Sequence, residues 1–242
     1  MLFVTGDVHY PLDAEKLFFL NEYLTSSDTV IVSGDMGLAW DTQKRTTDCI
    51  NELMYKTKYN ILFIDGNHEH FPILNAYPTV DLYGGKAGKL TDRLYHLYRG
   101  EEYCIEGKTF LTFGGARSLD RGLRIDGEDW FAEEEATITE CNKFLEQFYT
   151  TRTYDYVITH DAPKFITDML HPFDIEHPKS CTQQMLDELV KHISCKHWFF
   201  GHHHTDRVFD GTSFVCLYNS VFCLDTDKFF AVADDRYTIK KV

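Results

Sequence analysis

Five short segments of the chain each end an apolar run with side chains able to bind a metal ion. They are Asp7-Val8-His9, Ser33-Gly34-Asp35, Gly66-Asn67-His68-Glu69, Thr159-His160 and Gly201-His202-His203-His204. In extended chain, residues i and i+2 point to the same side, so Asp7 with His9, and His202 with His204, can serve one ion. In the second segment a glycine permits a tight exit before a single carboxylate. Any one of these segments is common by chance. Five in this order, all at the ends of apolar runs, point to a metal centre.

The elements that must position them alternate. Residues 2–5, 30–33 and 60–64 read as strands, and 13–25 and 42–58 as helices, the first with Leu17, Leu20 and Leu24 on one face. This βαβαβ order predicts parallel strands buried on both sides, with the active site at their carboxyl ends. Further strands are expected at 94–98, 103–105 and 109–113, with turns at Gly84-Gly85 and Gly114-Gly115. Residues 132–149 read as a helix opening on Glu133-Glu134-Glu135, acidic residues that favour the positive end of a helix dipole. Buried strands follow at 156–159 and 198–200, separated by a helix over 181–192. From Arg207 onward the pattern predicts antiparallel strands, with turns near Asp210-Gly211 and 225–227. No repeat, low-complexity stretch or linker interrupts the 242 residues, so 1–242 reads as one domain.

The chain is 43% hydrophobic and 26% charged, which excludes wholesale disorder. A formal charge of −14 disfavours an extended nucleic-acid surface, though bound cations can reverse the sign locally. No apolar run is long enough to cross a bilayer, and the first residues lack the features of a secretory signal. The seven cysteines are scattered and form no C-x-x-C pair, which favours a reducing cytoplasm over a disulfide scaffold or zinc ribbon.

The series D-x-H, G-D, G-N-H-E, H and G-H-x-H resembles the calcineurin-like metallophosphoesterases, hydrolases with a dinuclear metal centre. The resemblance runs from Asp7 to His204 and fills every ligand position. It implies that Asp7, His9, Asp35 and His204 hold one ion, that Asp35, Asn67, His160 and His202 hold the other, and that Asp35 bridges them. It implies an α/β fold, a four-layer α/β/β/α sandwich of two mixed sheets flanked by helices. His68 takes the family's role of stabilising the transition state and protonating the leaving oxygen, with Glu69 orienting it or merely solvated. His203 alternates away from its neighbours and reads as non-ligating. The implied ligands are an N/O set without thiolate, suited to two divalent ions such as Mn, Fe or Zn. Two such ions about 3.5–4 Å apart can activate a hydroxide and clamp phosphoryl oxygens during in-line displacement.

Leu38 stands where many relatives carry Asp or Arg, so the protein Ser/Thr phosphatase form G-D-x-V-D-R-G is absent. This points to the generic phosphoesterase branch and a small phosphorylated substrate, a nucleotide being one candidate. A phosphodiesterase or nuclease, a nucleotide pyrophosphatase and a non-enzymatic metal-binding adaptor are the alternatives. Substrate specificity is expected from an insertion around 85–150. Its run Gly114-Gly115-Ala116-Arg117-Ser118-Leu119-Asp120-Arg121, with Arg124 and Trp130, is similar to that of some small bacterial and phage members. Arg117, Arg121 and Arg124 are spaced so that one helical turn would align them toward phosphate groups. Trp130 or Trp40 could stack on a base. Alternatively, these arginines pair with Asp126, Glu128 and Asp129 at the surface and Trp130 is core.

Overall fold

The computed structural model describes residues 1–39, 42–172 and 180–230. Its first part runs β1 (Leu2–Thr5), α1 (Glu15–Leu20), β2 (Thr29–Val32), α2 (Gln43–Lys56), β3 (Asn60–Ile64) and α3 (Phe71–Leu74). It continues through β4 (Thr79–Leu82), β5 (Gly85–Lys89), β6 (Leu94–Leu97), β7 (Glu102–Ile105) and β8 (Lys108–Phe113). Then come α4 (Ile138–Leu145), β9 (Arg152–Thr159), α5 (Lys164–Leu170), α6 (Cys181–Leu189) and β10 (Ile193–Phe200). The short strands β11 (Arg207–Val208), β12 (Phe214–Cys216), β13 (Val221–Cys223) and β14 (Lys228–Phe230) follow.

The strands form two mixed sheets, ordered β14-β13-β1-β2-β3-β6-β5-β4 and β11-β12-β10-β9-β8-β7. Strands β1, β2, β3 and β6 are parallel neighbours in the first, and β8, β9, β10 and β12 in the second. The edges are antiparallel. Strand side chains alternate between faces, and here both faces are apolar, so each central strand feeds two buried layers. Phe3, Val30, Val32, Ile61 and Phe63 pack outward against Leu17, Leu20, Ile50 and Leu53 of α1 and α2. Their neighbours Leu2, Val4, Ile31, Leu62 and Ile64 face inward and meet Phe110, Tyr156, Ile158, Phe199 and Val215 of the second sheet. On the far side Val157, Trp198 and Phe200 pack against Phe144, Ile166, Leu186 and Leu189 of α4, α5 and α6. Three apolar layers therefore separate helices, sheet, sheet and helices, the expected α/β/β/α sandwich.

Several elements differ from the sequence reading. The helix expected over 132–149 is broken into a 3-10 turn at Ala132–Glu134, α4, and a second 3-10 turn at Glu146–Phe148. Thr137 and Glu140 form a reciprocal capping box that starts α4 six residues later, at Ile138. The three glutamates thus precede the helix. Glu134 is buried against Ser118, and Glu135 accepts the Cys181 backbone N–H. The β4–β5 hairpin escaped notice because Gly85-Lys86-Ala87-Gly88-Lys89 carries no apolar alternation. The 85–150 span divides: its first part supplies β5 to β8 of both sheets, and residues 114–150 contribute no strand to either. Trp40 and residues 231–242 of the tail lie outside the described residues. All seven cysteines are free. Among the described residues no helix is long and apolar enough to cross a membrane.

Candidate metal centre

The donors arrive on strand ends from both sheets. Asp7, Asp35 and Asn67 follow β1, β2 and β3, while His160 follows β9, and His202 and His204 follow β10. Backbone bonds lock these exits together. The N–H groups of Val8 and His9 both donate to Asp35 O, at 2.9 and 2.8 Å. His68 N–H donates to Asp35 Oδ1 at 2.8 Å, and His202 N–H to Asp7 Oδ1 at 3.0 Å. Such closeness needs residues without a Cβ. A methyl on Gly66 would lie 2.0 Å from Asp35 Oδ1, and one on Gly201 2.2 Å from Asp7 Oδ1.

The extended geometry read for D-x-H and H-x-H is not what the chain adopts. His9, Asp35, His202 and His204 have φ of 39°, 49°, 65° and 46°, a left-handed region costly for residues with a Cβ. The turn of Val8 and His9 onto one carbonyl accounts for the first. The strain is concentrated on the predicted ligands.

Among the described residues, two groups of three donors each have their ligand atoms within 4.8 Å of one another: Asp7, Asp35 and His160, and His9, Asp35 and His68. Asp35 belongs to both, but neither group lies within one implied ligand set, since Asp7 is grouped with His160 and His9 with His68. Asp35 Oδ2 is 3.1 Å from His9 Nε2 and 3.4 Å from His160 Nε2. His160 Nδ1 donates to Ser33 O at 2.8 Å, which directs Nε2 into the centre, 3.1 Å from Asn67 Oδ1. His204 Nε2 is 3.6 Å from Asp7 Oδ2, and its ring stacks on Tyr218 at 4.8 Å. The His202 ring is 5.1 Å from that of His160. His203 turns away to Asp161, at 3.2 Å. His68, expected to be a non-ligand, stands near enough to His9 and Asp35 to be a third donor.

The residues fit a cation. Asp7 Oδ2 is fully buried and makes no hydrogen bond, a costly state for a carboxylate oxygen unless something positive meets it. Burial opposes charge on His9 and His160, yet Asp35 and Asp7 outweigh it and raise them to about 9 and about 10. With no cation between them, both imidazoles would keep their protons at neutral pH. Burial would raise Asp35, but His160 and His9 hold it well below the usual carboxylate range. Burial, with the charges of Arg124, His9 and His160, depresses His68 to about 4 despite Asp35.

A cleft of about 420 Å³ opens beside the centre, lined by Asp35, Asn67, His68, Arg117, Lys164 and His204 among others. The predicted arginines do not share a face. A 3-10 turn, Arg121–Leu123, replaces the helical turn. Arg117 faces the cleft, and Arg121 lies 4.0 Å over the Trp130 ring. Arg124 pairs with Asp120 at 2.9 Å and places Nη2 3.0 Å from His68 Nε2. Trp130 is buried, in keeping with its core alternative.

Three supporting side chains were misread or missed. Glu69 neither orients His68 nor meets solvent: it is buried and accepts the N–H of Met36 at 2.7 Å, holding the loop after Asp35. Lys16 is buried, with Nζ donating to Asp7 O at 2.5 Å and to Tyr218 O, so it ties β1's exit to the ring beneath His204. Asp65 accepts from Arg99 Nε at 2.7 Å and lies 3.1 Å from His96 Nε2, just before the Gly66–Glu69 segment. The one sequence signal for it was an acidic residue directly after an apolar strand.

The fold is α/β, and the paired donor groups are candidates to hold metal. The calcineurin-like phosphoesterase family profile matches residues 2–206, and the chain belongs to that family, whose members hydrolyse phosphate ester bonds. No curated protein matches the chain. One solved structure, 11% identical, aligns over 95% of this chain and 96% of its own with a TM-score of 0.52, which shows the shared fold. A "Putative 5'-Nucleotidase" from Staphylococcus aureus is 13% identical with a TM-score of 0.49. That alignment covers 99% of this chain but 56% of the other. The phosphopantetheinyl hydrolase of Mycobacterium tuberculosis is 15% identical with a TM-score of 0.41, covering 90% of this chain and 89% of its own.

Proposed function

We propose that this chain, as a single cytoplasmic domain, hydrolyses a phosphate ester of a small molecule with two divalent ions that share Asp35. The observation that carries this reading is the membership of Asp35 in both donor groups. Asp7, His9, Asp35 and His204 would hold one ion, and Asp35, Asn67, His160 and His202 the other. When bound, two such ions draw charge from phosphoryl oxygens and make water acidic enough to attack at neutral pH.

The chain's own residues do the rest. His68 lies at the cleft and donates an N–H to the leaving oxygen. In the ion-free protein its imidazole is neutral at pH 7, so it acts as a proton donor only if a bound phosphate raises its affinity for the proton. Arg124, beside it, supplies positive charge to the phosphoryl group. Arg117 and Lys164 line the cleft and favour a substrate with anionic groups beyond the one being cleaved. Residues 114–150 and Lys164 together carry the specificity.

The test is to strip the protein with chelator, then add back Mn2+ and screen mono-, di- and pyrophosphate esters. Hydrolysis should vanish and return, and Asp35→Asn should lose both metal content and turnover. Asp35→Asn protein with two ions and full activity would refute the shared-ligand reading. His68→Ala should keep its metal and lose about 10²–10⁴ in kcat, less for nitrophenyl esters, whose leaving group hardly needs a proton. Loss of metal in that variant would make His68 a ligand instead.

A further inference from the structure

A carboxamide is a poor ligand unless something decides which way round it sits. Its oxygen can meet a cation and its NH2 cannot, yet the two ends have nearly the same shape. Asn67 faces this problem at the end of β3. We propose that Ser118 and Glu134 are positioning residues that solve it, fixing the Asn67 oxygen toward the metal centre. The inference rests on the reading of Asn67 as a ligand.

The geometry is a relay of single protons. Glu134 accepts the Ser118 backbone N–H on Oε1 at 2.9 Å and the Ser118 hydroxyl on Oε2 at 2.6 Å. A hydroxyl has one proton, and here it goes to the Glu134 carboxylate oxygen. With its proton committed to Glu134, Ser118 Oγ has only lone pairs left for Asn67. It therefore accepts from Asn67 Nδ2, 3.0 Å away. The carboxamide then has its oxygen on the other side, 3.1 Å from His160 Nε2. Asn67, Ser118 and Glu134 are 5%, 3% and 1% exposed, so solvent cannot take over any of these bonds.

Both flanks of the relay are anchored. Arg99 Nη2 donates to Glu134 O at 3.2 Å while its Nε holds Asp65, and Gly115 N–H donates to Asp65 O at 2.8 Å. This places Ser118 over Asn67 and gives the Gly114–Asp120 run a task distinct from phosphate binding.

The experiment measures Mn2+ affinity of the metal-free, full-length protein by the EPR signal of free Mn2+, well below each variant's melting temperature. Four variants are compared with the parent: Asn67→Ala, Ser118→Ala, Glu134→Gln and the double Asn67→Ala/Ser118→Ala. Ser118→Ala should weaken binding of one ion by about 10–100-fold, the usual effect of removing a group that orients a ligand. The double variant should bind no more weakly than Asn67→Ala alone, because Ser118 acts through Asn67. Glu134→Gln keeps the shape but adds a donor. It should be at least as damaging as Ser118→Ala, since the new NH2 turns the serine proton toward Asn67 and favours the reversed carboxamide. Purely structural residues would lower the melting temperature of every variant and leave Mn2+ affinity at the parent value. Unchanged affinity in Ser118→Ala and Glu134→Gln, with Asn67→Ala weakened, overturns the inference, as do additive losses in the double variant. Unchanged affinity in Asn67→Ala instead removes the ligand reading on which it stands.

Discussion

Arg117 faces the cleft, whereas Arg121, four residues on, lays its guanidinium 4.0 Å over the Trp130 ring. The two should therefore respond differently to truncation. Arg117→Ala should raise KM about 10- to 150-fold for a substrate carrying a second phosphate, the loss of a charge-assisted hydrogen bond of about 1.5–3 kcal/mol. A small nitrophenyl ester should be spared. Arg121→Ala should leave both kinetics unchanged and lower stability by about 0.5–1 kcal/mol, the scale of an exposed cation–π contact. Steady-state assays with both substrates beside a urea melt decide, and equal kinetic losses in the two variants would refute the division. The metal-donor candidates were legible because residue type and spacing carry their chemistry directly. Lys16 was not: a charged letter in an amphipathic helix reads as solvent-facing, and its inward turn depends on a carbonyl 202 positions away. Glu69 was misread for the same reason, since its partners are the backbone N–H groups of a loop 33 residues earlier.

Between elements, Asp65 fastens the exit of β3 to the end of β6, where His96 and Arg99 stand. Burial alone would raise its carboxyl, but Arg99 and His96 outweigh burial and hold it well below its ordinary value. A group depressed on folding stabilises above its unfolded pKa, and that stability is lost as pH falls through the folded one. Asp65 therefore contributes in full above about pH 4 and progressively less in more acid solution. Asp65→Asn should cost about 3 kcal/mol at pH 7, because it removes the carboxylate charge and turns an NH2 toward either Arg99 or His96, each of which now meets a carboxylate oxygen. Urea melts of both proteins from pH 7 downward should show the difference shrinking below about pH 4. A difference constant with pH would show that the carboxylate charge is not what matters. At this scale the strands bearing donors were readable from their apolar runs, and the α4 start was also written in Thr137 and Glu140. The acidic run before it misled, because a triple glutamate resembles a helix N-terminus whether or not one of its members is drawn inward to Ser118.

Over the whole molecule, the proposed centre would draw three donors from one sheet and three from the other's strand ends, with His9 in the loop after β1. Ion binding should therefore hold the sheets together and stabilise the fold, by about 2.7 kcal/mol when the free metal is 100 times its Kd. It should also release protons. His9 and His160 are charged at pH 7 without the ion, and both must be neutral to ligate. Calorimetric titration of metal-free protein at pH 7, in two buffers of different ionisation enthalpy, should reveal about two protons lost, falling toward none above about pH 10. No proton release at pH 7 would contradict the assignment of both histidines. The layered architecture was legible from alternating strands, but the meeting of the sheets at one end was not, since no local pattern encodes which distant strand ends converge. Asp7 and His202 stand 195 positions apart, yet the His202 backbone N–H donates to the Asp7 carboxylate. A ribosome making this chain exposes Asp7, Asp35 and Asn67 early and withholds His202 and His204 until near the end. On the proposed ligand set, a translation product that stops before residue 204 would lack the donors that join the two sheets.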